Sequence, residues 1–265
     1  MAGSSKKKVR IVDLTHPFGG LDTPLWPVSP DFKRERWSIQ ARDGVLTQVF
    51  TMHMHYGTHA DSPAHVLAKT PYTDELPLES YYGTGVVVDI PKGKWGVITP
   101  DDLEKAEPKI EKGDIVIIHT GMHHFYGDND DYYSYSAGLY KEAAEWLVEK
   151  GVKAVGVDQQ AMDHPLGTII GPHGISGKWG GEAGGLRPDI WAEYERETGR
   201  KVKDDFPYWE PCHKILLSNG IMCWENVGGD IDQVLGMRVT IAGFPLRIVR
   251  GDGSMVRLVA IIEED

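Results

Sequence analysis

The sequence predicts an α/β fold with mixed sheets in a single domain. Short runs rich in β-branched residues are typical of buried strands, and they span residues 85–90, 114–120, 153–158 and 255–262. Residues 137–151 have the apolar spacing of an amphipathic helix and lead directly into the strand at 153–158, which is the order expected in an α/β layer. No repeat of about 20–50 residues and no obvious linker divides the 265 residues.

In the first part of the chain, residues 9–14 predict an entry strand. Residues 50–56 then alternate apolar and polar side chains, which predicts a strand whose polar face carries His53 and His55. A Gly-Thr pair allows a turn after this strand. Ser62 followed by Pro63 is typical of a helix start, so we expect a short helix that carries His65 in its first turn.

Later elements follow from capping signals. Thr99 before Pro100 is a strong helix start, and Gly151 is suited to end the helix over 137–151. A short helix over 214–220 should precede a strand. Between them, residues 167–185 contain eight glycines, so we predict an extended Gly-rich loop over about 164–210.

Composition narrows the function classes. The net charge is −11, with no clustered basic residues beyond a short lysine run near the start, which argues against a nucleic acid partner. No apolar run of about 18 residues predicts a membrane span, and the first residues lack the apolar region of a secretory signal. Two cysteines form no disulfide framework, so we expect a cytoplasmic protein. Residues 1–8 are expected to form a flexible tail, and 9–265 one domain.

Four of the eleven histidines lie in the thirteen residues of HMHYGTHADSPAH, positions 53–65. His55, His59 and Asp61 can converge at a point near a strand end. Two imidazoles and one carboxylate form a ligand set suited to Zn²⁺, Mn²⁺ or Fe²⁺. Three protein ligands with an open position are typical of a catalytic metal, whereas four ligands usually close a structural zinc site. His53 shares a face with His55 and is a candidate either to support a neighbouring ligand or to form part of the pocket wall.

The segment from His55 to His65 resembles the H-x-G-[TA]-H-x-D-x-P-x-H signature of the metal-dependent cyclase superfamily, which includes bacterial kynurenine formamidases and isatin hydrolases. Similar segments occur along most of the chain. They are VDLTHP (12–17), IVIIHTG (115–121), GVDQQAMD (156–163), the H-x₁₁-E-N stretch at 213–226 and GDGSMVRLVAI (251–261).

This resemblance implies a swivelling β/β/α-type fold and a homodimer or homotetramer. It implies that His55, His59 and Asp61 hold one divalent ion, Zn²⁺ or Mn²⁺, and that His213 and Glu225 hold a second ion, with Asp61 as the bridge. Whether one or two ions bind is left open. His65 would be the general acid/base.

The expected reaction is hydrolysis of a non-peptide C–N bond in a small molecule, such as a formamide, a lactam or a cyclic imide. A metal-activated water would attack a carbonyl carbon, and His65 would carry the proton to the leaving nitrogen. Ala161 replaces the serine usual in kynurenine formamidases, and the Gly-rich stretch is longer than in short family members. Both departures point to a different substrate.

Further residues are candidates for the pocket or for packing. Trp26 is a candidate apolar wall for an aromatic substrate, and His173 could enter the site from the Gly-rich loop. His123 and His124 follow a predicted strand, so they either line the pocket or lie in a solvated loop. Cys212 and Cys223 flank the second ligand pair, and we expect both to be buried in packing.

Three alternatives stay open at this point. The same site could hydrolyse a lactone or ester, or act as a cyclase. His59, Asp61 and His213 also form the 2-His-1-carboxylate set of a non-haem iron oxygenase, which anaerobic turnover would exclude. Finally, the cluster could hold a structural metal in a non-enzymatic interaction module, which full activity of a His65→Ala variant would favour.

Overall fold

The computed structural model describes residues 8–20, 22–27, 29–173 and 185–264. Its strands are β1 (Lys8–Asp13), β2 (Lys33–Ser38), β3 (Thr47–Thr51), β4 (His59–Asp61), β5 (Tyr82–Asp89), β6 (Val97–Ile98), β7 (Ile115–His119), β8 (Gly138–Leu139), β9 (Ala154–Val157), β10 (Met222–Glu225), β11 (Met237–Ala242), β12 (Gly253–Met255) and β13 (Val259–Glu264). Its helices are α1 (Gln40–Asp43), α2 (Pro100–Lys105), α3 (Asp130–Tyr133), α4 (Lys141–Lys150), α5 (Pro188–Thr198), α6 (Val202–Asp205) and α7 (Pro211–Ser218).

One mixed sheet of nine strands organises the fold, in the order β1-β13-β11-β5-β7-β9-β10-β4-β12. Its centre, β5-β7-β9-β10, is parallel, and the strands on either side pair antiparallel. Parallel strands buried on both faces favour apolar residues, which explains the fully buried run of Ile115 to Ile118 before His119 in β7. The predicted α/β fold with mixed sheets is therefore confirmed.

The sheet curls, so that strands near its two ends contribute to one apolar core. Val12 of β1 and Ala60 of β4 lie far apart in the strand order, yet both belong to the cluster around the fully buried Trp224. On the opposite face, α2, α4 and α7 pack Leu103, Leu147 and Leu216 against the parallel strands. The neighbouring strands β4 and β10 carry His59, Asp61 and Glu225, and the candidate site is built around them.

Several predicted elements are confirmed. Thr99 accepts a hydrogen bond from the backbone N–H of Asp102 and completes a capping box at the start of α2. Gly151 ends α4 in the left-handed conformation, and residues 63–65 form a turn of 3₁₀ helix that carries His65. The helix at 214–220 begins earlier, at Pro211.

Other predicted boundaries are wrong. The strand expected over 50–56 ends at Thr51, and its predicted apolar face is only partly packed, since Phe50 is exposed whereas Tyr56 is buried. The helix expected from residue 137 begins at Lys141, because β8 occupies residues 138–139. The strand expected over 255–262 is two strands, β12 and β13, which lie toward opposite ends of the sheet.

The Gly-rich loop and the N-terminal tail also need correction. Within 164–210, α5 begins at Pro188 and ends before Gly199 in the left-handed conformation, and α6 follows. Proline at the first turn and glycine after the last are helix boundary signals, which override the loop prediction there. Residues 174–184 of that loop lie outside the described residues. The predicted tail is too long by one residue, because Lys8 begins β1. Residues 1–7 lie outside the described part.

Within the described ranges, no helix has both the length and the apolar character needed to cross a bilayer.

Candidate metal centre

Strand β4 places two ligand-type side chains on one face. It pairs with β10 on one side and β12 on the other, so His59, Ala60 and Asp61 are held in register by both neighbours. Alternation along a strand sends His59 and Asp61 to one face and Ala60 to the other, where it packs in the core with Trp224. Glu225 stands opposite His59 across the β10 pair, and the two side chains meet: Nε2 of His59 lies 3.3 Å from Oε2 of Glu225.

Hydrogen bonds fix the tautomer of two buried histidines. Nδ1 of His59 donates to the carbonyl oxygen of Gly57 at 2.8 Å, and Nδ1 of His213 lies 2.6 Å from Oδ2 of Asp163. Asp163 also accepts from the backbone N–H groups of Cys212 and His213 at the start of α7, which orients it as an acceptor. Both histidines therefore direct Nε2 toward the carboxylates, as metal-binding histidines held by outer partners do.

Asp61 joins two groups of candidate ligands. One ligand atom each from His55, His59 and Asp61 lies within 4.8 Å of the others, and the same holds for Asp61, His213 and Glu225. Nε2 of His59 and Oδ2 of Asp61 are buried without a hydrogen-bond partner. Since buried polar atoms are nearly always satisfied, each of these two atoms fits a position beside a divalent cation. The donor set of imidazole and carboxylate suits Zn²⁺ or Mn²⁺.

His55 comes from the irregular segment before β4 and is held between two carboxylates. Its Nδ1 lies 2.7 Å from Oδ1 of Asp61, and its Nε2 lies 3.1 Å from Oδ2 of Asp252. Gly253 makes this approach feasible, because a Cβ there would lie 2.6 Å from Cε1 of the His55 ring. The backbone N–H of His55 donates to Nδ1 of His53 at 3.3 Å, so His53 supports the position of His55.

His65 belongs to neither of the two groups that share Asp61, and it forms a separate set of candidate ligands with His55 and Asp252. Its ring is centred 3.9 Å from the His55 ring and 5.8 Å from the His213 ring, and its Nδ1 is 3.7 Å from Oδ2 of Asp252. Burial and the neighbouring His55 lower the pKa of His65, against the opposing effect of Asp252. The imidazole is therefore neutral at pH 7, the form that accepts a proton.

The buried carboxylates and histidines shift one another's pKa values. Burial alone would lower the pKa of His59, but Asp61 and Glu225 outweigh burial and raise it to about 10. Burial and Asp61 tend to raise the pKa of Glu225, but the histidines that face it, His213 and His59, lower it to about 2. The carboxylates are thus ionised at neutral pH and need nearby positive charge, which protons on the imidazoles or a metal ion can supply.

A cavity of about 410 Å³ opens onto this cluster. It is large enough for a small-molecule ligand. Trp26 and Trp209 contribute aromatic walls, and Gln160 and Asn226 contribute amide groups. The sequence-predicted residues that line the cavity are Trp26, His53, His55, His59, His65, His213 and Glu225.

His173 is placed differently. It is half-buried, and its Nε2 donates to the carbonyl oxygen of Phe206, outside the cavity lining. The predicted role of His173 in the site therefore receives no support from its position. Cys212 and Cys223 are free and buried, as expected for packing residues.

Three site residues were not predicted from the sequence. Asp252 contacts both His55 and His65, Asp163 orients His213, and Glu210 lines the cavity with a carboxyl group whose pKa burial raises to about 7. Asp163 and Asp252 lie within segments that resemble the family, GVDQQAMD and GDGSMVRLVAI, so their positions could have been flagged. Glu210 carries no comparable sequence signal.

Comparison with protein families gives a match to the family described as putative cyclase, over residues 12–164. A kynurenine formamidase of Erythrobacter litoralis (strain HTCC2594) is 33% identical over 172 residues, which cover 64% of this chain and 75% of that protein. A kynurenine formamidase of Bacillus thuringiensis (strain Al Hakam) is 27% identical over 249 residues, covering 94% of this chain and 95% of the relative.

Solved structures share the fold. Isatin hydrolase A from Ralstonia solanacearum superposes with a TM-score of 0.74 at 24% identity, covering 96% of this chain and 92% of the other. Isatin hydrolase A from Labrenzia aggregata gives a TM-score of 0.73 at 23% identity, covering 97% and 94%.

Proposed function

Since the chain belongs to the cyclase family, we propose that it is a metal-dependent hydrolase. Its proposed reaction is cleavage of a non-peptide C–N bond in a formamide, a lactam or a cyclic imide. The observation that carries this proposal is the shared carboxylate of Asp61. It joins two three-residue ligand groups at the wall of a cavity large enough for a small substrate.

The five ligand residues have distinct tasks. His55 and His59 would hold one ion with Asp61, and His213 and Glu225 would hold a second ion that shares Asp61. We propose Zn²⁺ or Mn²⁺, in one or two positions. The chemistry that such an ion supplies when bound is polarisation of a carbonyl oxygen and a shift of the pKa of water from 15.7 toward about 7.

His65 is proposed to carry the proton. In its neutral form it can take a proton from the attacking water as the new C–O bond forms. It can then deliver that proton to the leaving nitrogen as the C–N bond breaks. The products are a carboxylic acid and an N–H group, which is an amine from a formamide or a lactam and an amide from a cyclic imide, and no further reagent is needed. The contact between His65 and Asp252 would orient the ring and stabilise the protonated form between the two transfers.

The cavity walls suggest the shape of the substrate. Trp26 and Trp209 can cover the faces of a planar ring, while the amides of Gln160 and Asn226 can bind a carbonyl or an amide group. Ala161 also lines the cavity and leaves room where kynurenine formamidases usually have serine. These features favour an aromatic or cyclic amide, in keeping with the relatives that are named kynurenine formamidase and isatin hydrolase.

The proposal extends to the setting of the enzyme. Free, buried Cys212 and Cys223 fit a reducing compartment, which supports a cytoplasmic location. We also propose a homodimer or homotetramer. The hairpin of β2 and β3 supports an assembly, because it exposes large apolar side chains such as Trp37, which is 75% exposed.

The test is a substrate panel for the metal-loaded protein. The panel contains an aryl formamide, isatin, a cyclic imide and a lactone, and the metal content of the same preparation is measured. We expect turnover of at least one C–N substrate and none after chelation. Turnover of the lactone alone would favour the ester hydrolase alternative, and turnover that requires oxygen and a reductant would overturn hydrolysis.

A further inference from the structure

A second group of histidines lies away from the cavity lining. His119 ends β7, and His123 and His124 lie in the 3₁₀ turn that follows it. Asp232 reaches the same place from a separate 3₁₀ turn, Ile231–Val234. One ligand atom from each of these four residues lies within 4.8 Å of the other three. We call this set the second cluster.

Outer carboxylates orient the two buried histidines of the second cluster. Nδ1 of His119 lies 2.8 Å from Oδ1 of Asp89, and Nδ1 of His123 lies 3.4 Å from Oδ2 of Asp158. Asp158 is itself fixed by the backbone N–H groups of Thr120 and Gly121. A carboxylate on one ring nitrogen leaves the other nitrogen to bind a metal, which is the usual outer arrangement around zinc-binding histidines.

The remaining nitrogens converge on Asp232. Nε2 of His123 lies 3.4 Å from Oδ2 of Asp232, Nε2 of His124 lies 3.9 Å from the same oxygen, and Nε2 of His119 lies 3.8 Å from Oδ1. Ligand atoms of a tetrahedral zinc site, with bonds of about 2.0–2.1 Å, stand roughly 3.3 Å apart. The observed spacings to Oδ2 of Asp232 exceed this value by about 0.1 Å and 0.6 Å, so small side-chain movements would bring the ligand atoms, all within 4.8 Å of one another, to zinc distance.

One of these nitrogens is unsatisfied. Nε2 of His119 is buried and has no hydrogen-bond partner. The whole residue is only 6% exposed. Burying a polar atom without a partner costs free energy. Because Nδ1 faces Asp89, Nε2 has a free lone pair, which a metal ion could accept. Oδ1 of Asp232 cannot accept that pair, because a carboxylate oxygen is itself an acceptor of hydrogen bonds and lies 3.8 Å away.

The charge balance leads to the same ligand. In the described part of the chain, the ion pairs of Asp89, Asp158 and Asp232 all involve histidine, with no lysine or arginine. Three carboxylates around three imidazoles thus lack a permanent cation. A divalent ion would supply positive charge where the carboxylates converge.

We propose that the second cluster is a zinc site with four protein ligands: Nε2 of His119, His123 and His124, and one carboxylate oxygen of Asp232. Four protein ligands close the coordination shell, which is typical of a structural site. The ion would tie the ends of β5 and β7 and the two 3₁₀ turns together, since each of these contributes a ligand or an outer carboxylate. This proposal does not depend on the proposed function of the main centre.

The test compares zinc content in four versions of the full chain. D232N and H124Q each remove one ligand, and both side chains are more than half exposed, at 53% and 59%, so the fold should tolerate them. D230N is the matched control, because it removes the same charge two residues away from an exposed position in the same segment. Each protein is dialysed against micromolar free Zn²⁺, and bound zinc is counted by elemental analysis.

We expect wild type and D230N to hold one more zinc ion per chain than D232N and H124Q. Added Zn²⁺ should also raise the Tm of wild type and D230N by more than that of the two ligand variants, because an ion that binds only the native state stabilises it. Equal zinc content in all four correctly folded proteins would overturn the site. Equal Zn²⁺-dependent shifts in Tm would do the same.

Discussion

The main centre and the second cluster use the same side chains, but they differ in what lies beside the ligands. In the main centre, Asp61 is shared by two ligand groups, and a cavity of about 410 Å³ meets the ligands. In the second cluster, three imidazoles and Asp232 face one another, with two of the four residues buried and two exposed. An open coordination position next to a cavity is suited to catalysis, whereas four converging protein ligands are suited to a structural role.

Removal of the Asp61 carboxylate is expected to have the largest effect. This residue is fully buried and belongs to both ligand groups, so D61N should lose bound metal and lower kcat/KM by about 10³-fold or more. This follows because the metal supplies several kcal/mol of transition-state stabilisation, and each 1.36 kcal/mol is a factor of ten. Metal analysis and steady-state kinetics measure the two effects, with D230N as the control. A D61N protein with full metal content and full turnover would contradict the shared-ligand assignment.

Removing His65 should separate catalysis from metal binding. H65Q is expected to keep the metal content of the wild type, because His65 belongs to neither of the two ligand groups that share Asp61. Its kcat should fall by about 10²- to 10⁴-fold, the usual contribution of a general acid/base. Metal analysis of the assayed sample checks both outcomes. Unchanged kcat would refute the proton-carrying role.

Asp252 provides a smaller and more specific effect. Burial and His55 lower the pKa of His65, and Asp252 opposes that shift. D252N should therefore lower the pKa of His65 further and move the acid limb of the kcat/KM profile to lower pH. We also expect a loss of about 10- to 100-fold in kcat/KM, which is typical when an outer partner of a metal site is removed. A reduced rate with an unmoved acid limb would indicate packing damage instead of positioning.

The smallest expected effect concerns a histidine that has neither a carboxylate nor a metal partner. His164 is fully buried, accepts from the backbone N–H of Leu166 and stacks on Phe206. Burial lowers its pKa to about 4, so between about pH 6.5 and pH 4 the unfolded chain binds more protons than the folded chain. Stability therefore falls as the pH drops through this range.

Urea unfolding measures this effect. One pKa unit corresponds to 1.36 kcal/mol, so lowering the pH from about 6.5 to about 5 should cost the wild type about 1–2 kcal/mol through His164. H164N keeps a hydrogen-bond acceptor for Leu166 and should lose this part of the pH dependence. An identical pH dependence in H164N and the wild type would show that His164 is not the buried neutral group described here.

Prediction from the sequence succeeds where one local segment contains the whole pattern. Asp61 stands two residues after His59 on one strand, so strand alternation alone places them on one face. The capping signals at Thr99 and Gly151 are equally local, and both are confirmed.

Prediction fails where the site depends on residues brought together by the curled sheet. Asp252 is 197 positions from His55, and Asp232 is 109 positions from His123, so no spacing rule could pair them. The strand predicted over residues 50–56 fails for a different reason. Its alternation is real, but Phe50 finds no core to pack against and stays exposed.

Metal-dependent hydrolysis at the main centre is tested most directly by measuring turnover against metal occupancy. The protein is stripped with a chelator and reconstituted with graded amounts of Mn²⁺ or Zn²⁺, and hydrolysis of the best C–N substrate is followed at each step. The account predicts no turnover in the stripped protein and a rise in proportion to bound metal, absent from D61N. Full turnover in the stripped protein would contradict it.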